Sequence, residues 1–351
     1  MCSWEGTLKR MKACVLRKND ISLDGVKIVE WPDPKPAVNE VLIRVRAASL
    51  NYRDYLIVTN NYGTAPVESD LILLSDAAGE VVAAGKEVTR FKVGDRVAGT
   101  FFQVWKDGPM RVHPPALGLP LQGVLAELVS LHEDGVVRIP DSLSCEEASA
   151  LPCAGVTAWN ATMVSGRAVK KGDIVLCMGA GGVSMFAAQF ADAAGARVVL
   201  LSSTAEKLKR AYALLPNQNP ADGINYRDIP DWDRKVRELT AGHGADHVME
   251  LGGAGTLERS YRALAFGGRV ALIGYRPGAT GDSNPWPLML KDGHIDGIGV
   301  GSTQMFEDML RAIDSKRLKP PVDRVFAFDE TVDALRYLGA GNCVGKVVIQ
   351  V

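Results

Sequence analysis

Residues 12–140 carry short apolar runs bounded by Gly and Asp. EVLIRVRAAS (40–49) alternates apolar and polar positions, the period of a strand with one buried face. GEVVAAG (79–85), GDRVAGTFF (94–102) and GVLAELVSL (123–131) repeat the theme, and together they predict a barrel or sandwich. KDGPMRVHPPALGLP (106–120) is proline-rich and aperiodic. It reads as a loop that either shapes the mouth of a pocket or lies on the surface.

From about residue 141 the period changes. Apolar runs at 172–178, 196–202, 245–252 and 268–275 read as strands. Helical patterns at 182–195, 204–215, 231–240 and 256–265 fall between or beside them, with Gly195 as the stop of the first and Thr204 as the cap of the second. Strand and helix alternating at this spacing predict a parallel, doubly wound sheet. The fold class is thus α/β, with a β-rich part ahead of a Rossmann-type part.

VLCMGAGGVSMFAAQF (175–190) joins the first of these strands to the first helix. Gly179, Gly181 and Ser184 take the three positions of the dinucleotide fingerprint, with Ala180, Gly182 and Val183 between. The first glycine allows the turn and the second lets backbone approach a pyrophosphate on the helix N-terminus. The third position governs only helix–strand packing, and serine is small enough for it. A glycine-rich turn without ligand is the plain alternative. The second strand ends in Ser202 and Ser203, without the carboxylate that would select NAD. Lys207 lies one helical turn on, either reaching an extra phosphate or solvated. Glu206 is placed outward on the helix.

The chain has 351 residues, length for about two domains, and 47% hydrophobic residues, enough for buried cores. Its 40 basic and 41 acidic residues give no overall field toward nucleic acid or an anionic membrane. No window is apolar enough to span a membrane, and MCSWEGTLKR lacks the apolar core of a signal peptide. Residues 1–10 read as a loose extension. The six cysteines form no C-x-x-C pair, which points to a reduced, cytoplasmic protein without disulfides or a four-cysteine zinc site.

GDRVAG (94–99), LPCAGVTAWNA (151–161), GAGGVS with AAQFA (179–191), INYRD (224–228), DHVMELGG (246–253) and the ending GKVVIQV (345–351) resemble, in order and spacing, the medium-chain dehydrogenase/reductase superfamily. The resemblance runs from about Met11 to Val351. It implies a GroES-like substrate and catalytic domain from residues 1–140 and 315–351, and a Rossmann domain from 141–314. It also implies an active site in the cleft between them and a homodimer through the region HIDGIGVGS (294–302). Many members hold zinc, but the first ligand position falls in AASLNYRDYLIV, which has no Cys, and the second falls on Ser75, with Asp76 beside it. Only Cys153 matches the third, so no metal is expected.

The chain therefore resembles the zinc-free quinone oxidoreductases and enoyl reductases. Their motif falls on Asn51, Asp54 and Tyr62, with Tyr62 as the implied acid and Asn51 and Asp54 organising the site. Their 2'-phosphate set falls on Ser203, Lys207 and Tyr226, which together with Ser202 implies NADPH. Thr157 and Gly252 complete the implied cofactor contacts. Without a metal to polarise a carbonyl, hydride goes more easily to a carbon activated by conjugation. The expected activity is NADPH-dependent reduction of an activated C=C or quinone, with Tyr62 or water giving the proton. The aromatic residues Phe101, Phe102, Trp105 and Trp286, in the 101–120 and 275–290 segments, would suit a flat substrate or serve as packing. Two alternatives stand: an NAD(P)-dependent alcohol dehydrogenase or carbonyl reductase, and a non-enzymatic NADPH-binding protein.

Overall fold

A computed structural model describes residues 10–63, 66–274 and 283–351. The alternating segment at 40–49 forms the strand Glu40–Leu50, the hub of a seven-stranded sheet. Its first half pairs with Leu128–His132 and its last residues with Lys346–Gln350, while Asp76–Ala84 runs along its other edge. Two register shifts in that last pairing bend the strand, as a closing barrel requires. Val322–Ala327 extends the sheet beyond Lys346–Gln350, and Arg96–Gly99 and Val136–Arg138 extend it at the other side. A smaller sheet of Arg10–Leu16, Val26–Pro32 and Leu71–Ile72 packs beside it. One apolar core, with Val45, Leu50, Leu73, Val81 and Ile349 at its centre, fills the barrel.

Only the end of 123–131 is a regular strand. Residues 123–127 spread their backbone bonds over three segments: Gly123 donates to Ile72, Glu127 donates to Lys12, and Glu127 accepts from Val45. An alternating pattern marks the buried face but cannot reveal that the ladder partner changes along the run.

The second unit is a six-stranded parallel sheet. Its spatial order is Gly223–Asn225, Arg197–Ser202, Ile174–Met178, Ala245–Glu250, Leu264–Leu272, His294–Gly297. Helices Gly182–Ala193, Ala205–Tyr212, Trp232–Leu239 and Leu257–Ala263 cover its two faces. The Thr204 hydroxyl caps the second helix by accepting the Lys207 N–H at 3.2 Å. The fifth strand starts four residues earlier than the pattern suggests, at Leu264, because residues 264 and 265 are already fully buried. The architecture is a GroES-like domain plus a Rossmann-like parallel sheet, as expected. Of the expected extension at residues 1–10, Arg10 already belongs to the strand Arg10–Leu16, where it pairs with Pro32; residues 1–9, and Tyr275 with the first part of the 275–290 segment, lie outside the described residues. Among the described residues no helix is long and apolar enough to cross a membrane.

Candidate active site

The strand order reverses between Ile174–Met178 and Ala245–Glu250. The crevice at the carboxyl ends of these strands is where doubly wound sheets take ligands. Gly179, at φ +81°, turns the chain there in a left-handed conformation that a side chain would strain. Gly181 is the N-cap of the helix, no side chain caps it, and a Cβ at Gly181 would meet nothing within 4 Å. Open space thus stands over the uncapped amides that begin at Gly182 and Val183, at the positive end of the helix dipole. Ser184, fully buried, donates its hydroxyl to the Met178 carbonyl. The irregular third fingerprint residue therefore ties helix to strand and leaves the amides in front of it untouched. Ala180 accepts the Gly345 N–H at 2.8 Å, so the tail of the chain docks under the turn. This cradle fits a pyrophosphate.

Ser202 ends the second strand and pairs with Asn225, and the Tyr226 N–H donates to the Ser202 carbonyl at 3.0 Å. Ser203, Lys207 and Tyr226 are thereby gathered at one corner of the crevice. The Lys207 ammonium reaches Ser203 Oγ at 3.4 Å and donates to the Gly341 carbonyl. Gly252 follows the fourth strand, its N–H held at 2.7 Å by buried Glu250. Thr157 donates to the Cys153 carbonyl at 2.6 Å, within a helix whose turns widen at Leu151–Gly155 and Asn160–Val164. Widened turns of this kind recur beside functional sites.

The catalytic candidates meet in one buried network. The Asp54 carboxylate accepts the Asn51 N–H at 2.7 Å and fixes the start of the short helix Tyr52–Val58. Asn51 Nδ2 reaches Ser75 Oγ at 3.3 Å, and its Oδ1 accepts from Lys346 Nζ at 2.6 Å. Lys346, only 3% exposed, donates also to the Leu50 carbonyl at 2.6 Å and lies 3.8 Å from Asp76. Its stem runs under the glycine turn: a Cβ on Gly182 would stand 2.7 Å from Lys346 Cδ. Asp76, fully buried, accepts from Ser75 Oγ at 2.6 Å and from the Cys153 N–H at 2.9 Å. Burial pushes the Asp54 carboxyl up to about 6 against the pull of Arg53.

Arg53 connects this network to Tyr62. Its Nε donates to Tyr62 Oη at 3.2 Å, and its Nη1 lies 3.7 Å from Asp54. Beyond Cys153, the side chains of Phe101, Phe102, Trp105, Met110, Ala116 and Val300 form an apolar cluster. Trp286 is more than half exposed and stands outside that cluster. Sequence reasoning missed Arg53 and Lys346. The signal for Lys346 was a charge opening the apolar run Val347–Ile349, where burial demands a partner. Arg53 had no signal beyond its place inside the motif.

In the stretch that carries the first metal-ligand position, Asn51 lies beside Ser75, and both join Cys153 through Asp76, so the site offers an amide, a hydroxyl and one thiol. Zinc takes thiolate, imidazole and carboxylate. Burial, with the Asp76 carboxylate next, pushes the Cys153 thiol up so that it keeps its proton. Among the described residues no three His, Cys, Asp or Glu side chains come together as a metal site. His243 and His247 diverge, the first to Asp246 at 3.2 Å and the second to Asp173 at 3.1 Å. The donor set does not fit zinc.

Residues 37–141 match the alcohol dehydrogenase GroES-like domain, and residues 182–315 match the zinc-binding dehydrogenase family. A zinc-type alcohol dehydrogenase-like protein of Schizosaccharomyces pombe is 39% identical over 337 residues, 93% of this chain and 96% of that one. A Sinorhizobium meliloti chain described as a "putative Alcohol dehydrogenase" superposes with a TM-score of 0.90 at 39% identity, covering 100% of both chains. The Streptomyces 2-octenoyl-CoA carboxylase reductase CinF, in complex with NADP and 2-octenoyl-CoA, superposes at 0.84 with 26% identity, over 97% of this chain and 87% of that one. The chain belongs to the medium-chain dehydrogenase/reductase family, whose members are oxidoreductases that bind nicotinamide cofactors and small molecules, often as oligomers. An acryloyl-coenzyme A reductase of Sulfurisphaera tokodaii (27% identical, over 93% of this chain and 96% of that one) and a quinone oxidoreductase of Pseudomonas aeruginosa (30%, with the same coverage) are also relatives.

Proposed function

We propose that this protein is an NADPH-dependent reductase of activated double bonds or quinones that works without zinc. The observation that carries the reading is the buried network itself. At the metal-ligand positions, Asn51 and Ser75 are spent on one another, on Lys346 and on Asp76, Cys153 offers only a protonated thiol, and the hydroxyl of Tyr62 joins the same network through Arg53.

NADPH, when bound, supplies the hydride. Gly181, Gly182 and Val183 hold its pyrophosphate, with Lys346 adding positive charge beneath the turn. Ser203, Lys207 and Tyr226 hold the 2'-phosphate, and Ser202 closes that corner. Thr157 and Gly252 line the rest of the crevice. Tyr62 would give a proton to the carbon or oxygen of the reduced conjugated acceptor that is left electron-rich, and solvent would return it. Asn51 and Asp54 fix the helix that carries Arg53. The relatives that act on acryloyl-CoA, 2-octenoyl-CoA and quinone support a conjugated acceptor. The relatives named for alcohol dehydrogenation support a second reading, in which a simple carbonyl is reduced.

The exposed Ile295, Phe266, Met289 and Leu290 near the free edge of His294–Gly297 support a homodimer through that edge. The five cysteines of the described residues, all free, support a reducing, cytoplasmic setting.

The test is a panel of acceptors read by NADPH oxidation: an enone, an enoyl thioester, a quinone, and the matching saturated aldehydes and ketones. Turnover confined to the conjugated set, with a loss of about 10²-fold or more in kcat for Tyr62→Phe, is expected. Turnover confined to saturated carbonyls would overturn the reading in favour of the second.

A further inference from the structure

We propose that Arg53 is the positioning residue for Tyr62, holding the phenol as a proton donor and locking the wall of the substrate pocket to it. The inference rests on the reading of Tyr62 given above, and it assigns a role to a residue outside the candidate catalytic set.

Arg53 is nearly buried: its side chain is 9% exposed. Burial works against its charge, and the neighbouring Asp54, followed by Tyr62, holds the guanidinium above its ordinary value. Each nitrogen is committed. Nε donates to Tyr62 Oη at 3.2 Å, Nη1 to the Leu117 carbonyl at 3.0 Å, and Nη2 to the Leu119 carbonyl at 2.9 Å. The guanidinium plane also lies 5.0 Å from the Tyr62 ring centroid and 5.1 Å from that of Phe101.

Because Nε–H donates to the phenol oxygen, the hydroxyl hydrogen of Tyr62 cannot point back toward Arg53 and must be offered elsewhere. The same guanidinium occupies two acceptors of the proline-rich loop, the carbonyls of Leu117 and Leu119. With Arg53 gone, those carbonyls would be unpaired, and the phenol would turn to donate to them instead of to substrate. Arg53 thus does two jobs at once. It saturates the competing acceptors, and it fixes the proline-rich loop and Phe101 at one distance from Tyr62. A lysine retains the charge beside Asp54, but its three hydrogens leave a single nitrogen, so it cannot span the acceptors that Arg53 meets from three separate nitrogens.

The experiment is a double-mutant cycle on the full chain with Arg53→Lys, Arg53→Gln, Tyr62→Phe and the two doubles. NADPH affinity, melting temperature, kcat and KM are measured for each on one turned-over conjugated acceptor. The expected result is a fall in kcat of about 10- to 100-fold for Arg53→Lys, with NADPH affinity within twofold of wild type. In the Tyr62→Phe background the same change should lower kcat by no more than about twofold, because the donor it positions is gone. If the two substitutions instead multiply, Arg53 acts independently of Tyr62 and the proposal is overturned, while the reading of Tyr62 survives. If Tyr62→Phe alone leaves kcat unchanged, the reading of Tyr62 fails and takes the proposal with it. Arg53→Gln covers a failure of the lysine variant to fold. Loss of NADPH binding alongside kcat in whichever variant folds would assign Arg53 to general structure and also overturn the proposal.

Discussion

Gly181 and Gly182 are neighbours in sequence, and they carry opposite expectations. A Cβ on Gly181 meets nothing within 4 Å, and its φ of −78° and ψ of −177° suit any residue. Gly181→Ala should therefore fold normally. Reduced freedom of the unfolded chain favours alanine by roughly 0.4–1 kcal/mol, and loss of a preferred N-cap residue costs about 0.5–1 kcal/mol. The two terms nearly cancel, and the melting temperature should move by less than about 3 °C. The new methyl, however, projects into the space where a phosphate must approach the helix amides. Loss of one or two charge-assisted hydrogen bonds, at about 1.5–3 kcal/mol each, lowers NADPH affinity at least tenfold. Gly182→Ala places its Cβ 2.7 Å from Lys346 Cδ and 3.1 Å from the Ala154 Cβ. Lys346 would have to withdraw from Asn51, so this variant should lose about 1–3 kcal/mol of stability. Urea denaturation and fluorescence titration with NADPH read the two effects separately. Wild-type affinity in a folded Gly181→Ala protein would refute the placement of the pyrophosphate over this turn.

The other expectations concern single side chains. Lys207→Ala should weaken NADPH by tenfold or more and leave NADH unchanged; an equal loss for both would mean that its bond to Gly341 matters more than a 2'-phosphate. Burial raises the Asp54 carboxyl from 3.8 to about 6, so the native state takes up this proton before the unfolded chain does as pH falls. The ionised carboxylate then costs stability above about pH 6, and that cost disappears as the pH falls through the native pKa toward the unfolded one. Wild type should gain on Asp54→Asn by about 1–3 kcal/mol between pH 7.5 and pH 4.5, read from urea midpoints; a flat difference would contradict the burial argument. Ser184→Ala strips the Met178 carbonyl of its buried donor and should cost about 1–2 kcal/mol by the same measurement, with NADPH affinity unchanged.

Local chemistry made much of this legible from residues alone. The period-3.6 and buried runs after residue 141, the Thr204 cap and the glycine turn were readable because each depends on neighbours in sequence. The course of residues 123–127 was not, because its ladder partners lie in three distant segments. The candidate site was half legible for the same reason. Asn51, Asp54 and Tyr62 fall within one short stretch, whereas Lys346 reaches Asn51 from 295 positions away. Arg53 was hidden in plain view: its partners Leu117 and Leu119 belong to an aperiodic loop whose placement no pattern specifies.

The most direct single test takes one purified sample through metal analysis and parallel titrations with NADPH and NADH. The expected result is no stoichiometric zinc, NADPH bound at least tenfold more tightly than NADH, and NADPH-driven turnover of a conjugated acceptor by that same metal-free sample. One zinc per chain together with preferred binding of NADH and oxidation of an alcohol would contradict it.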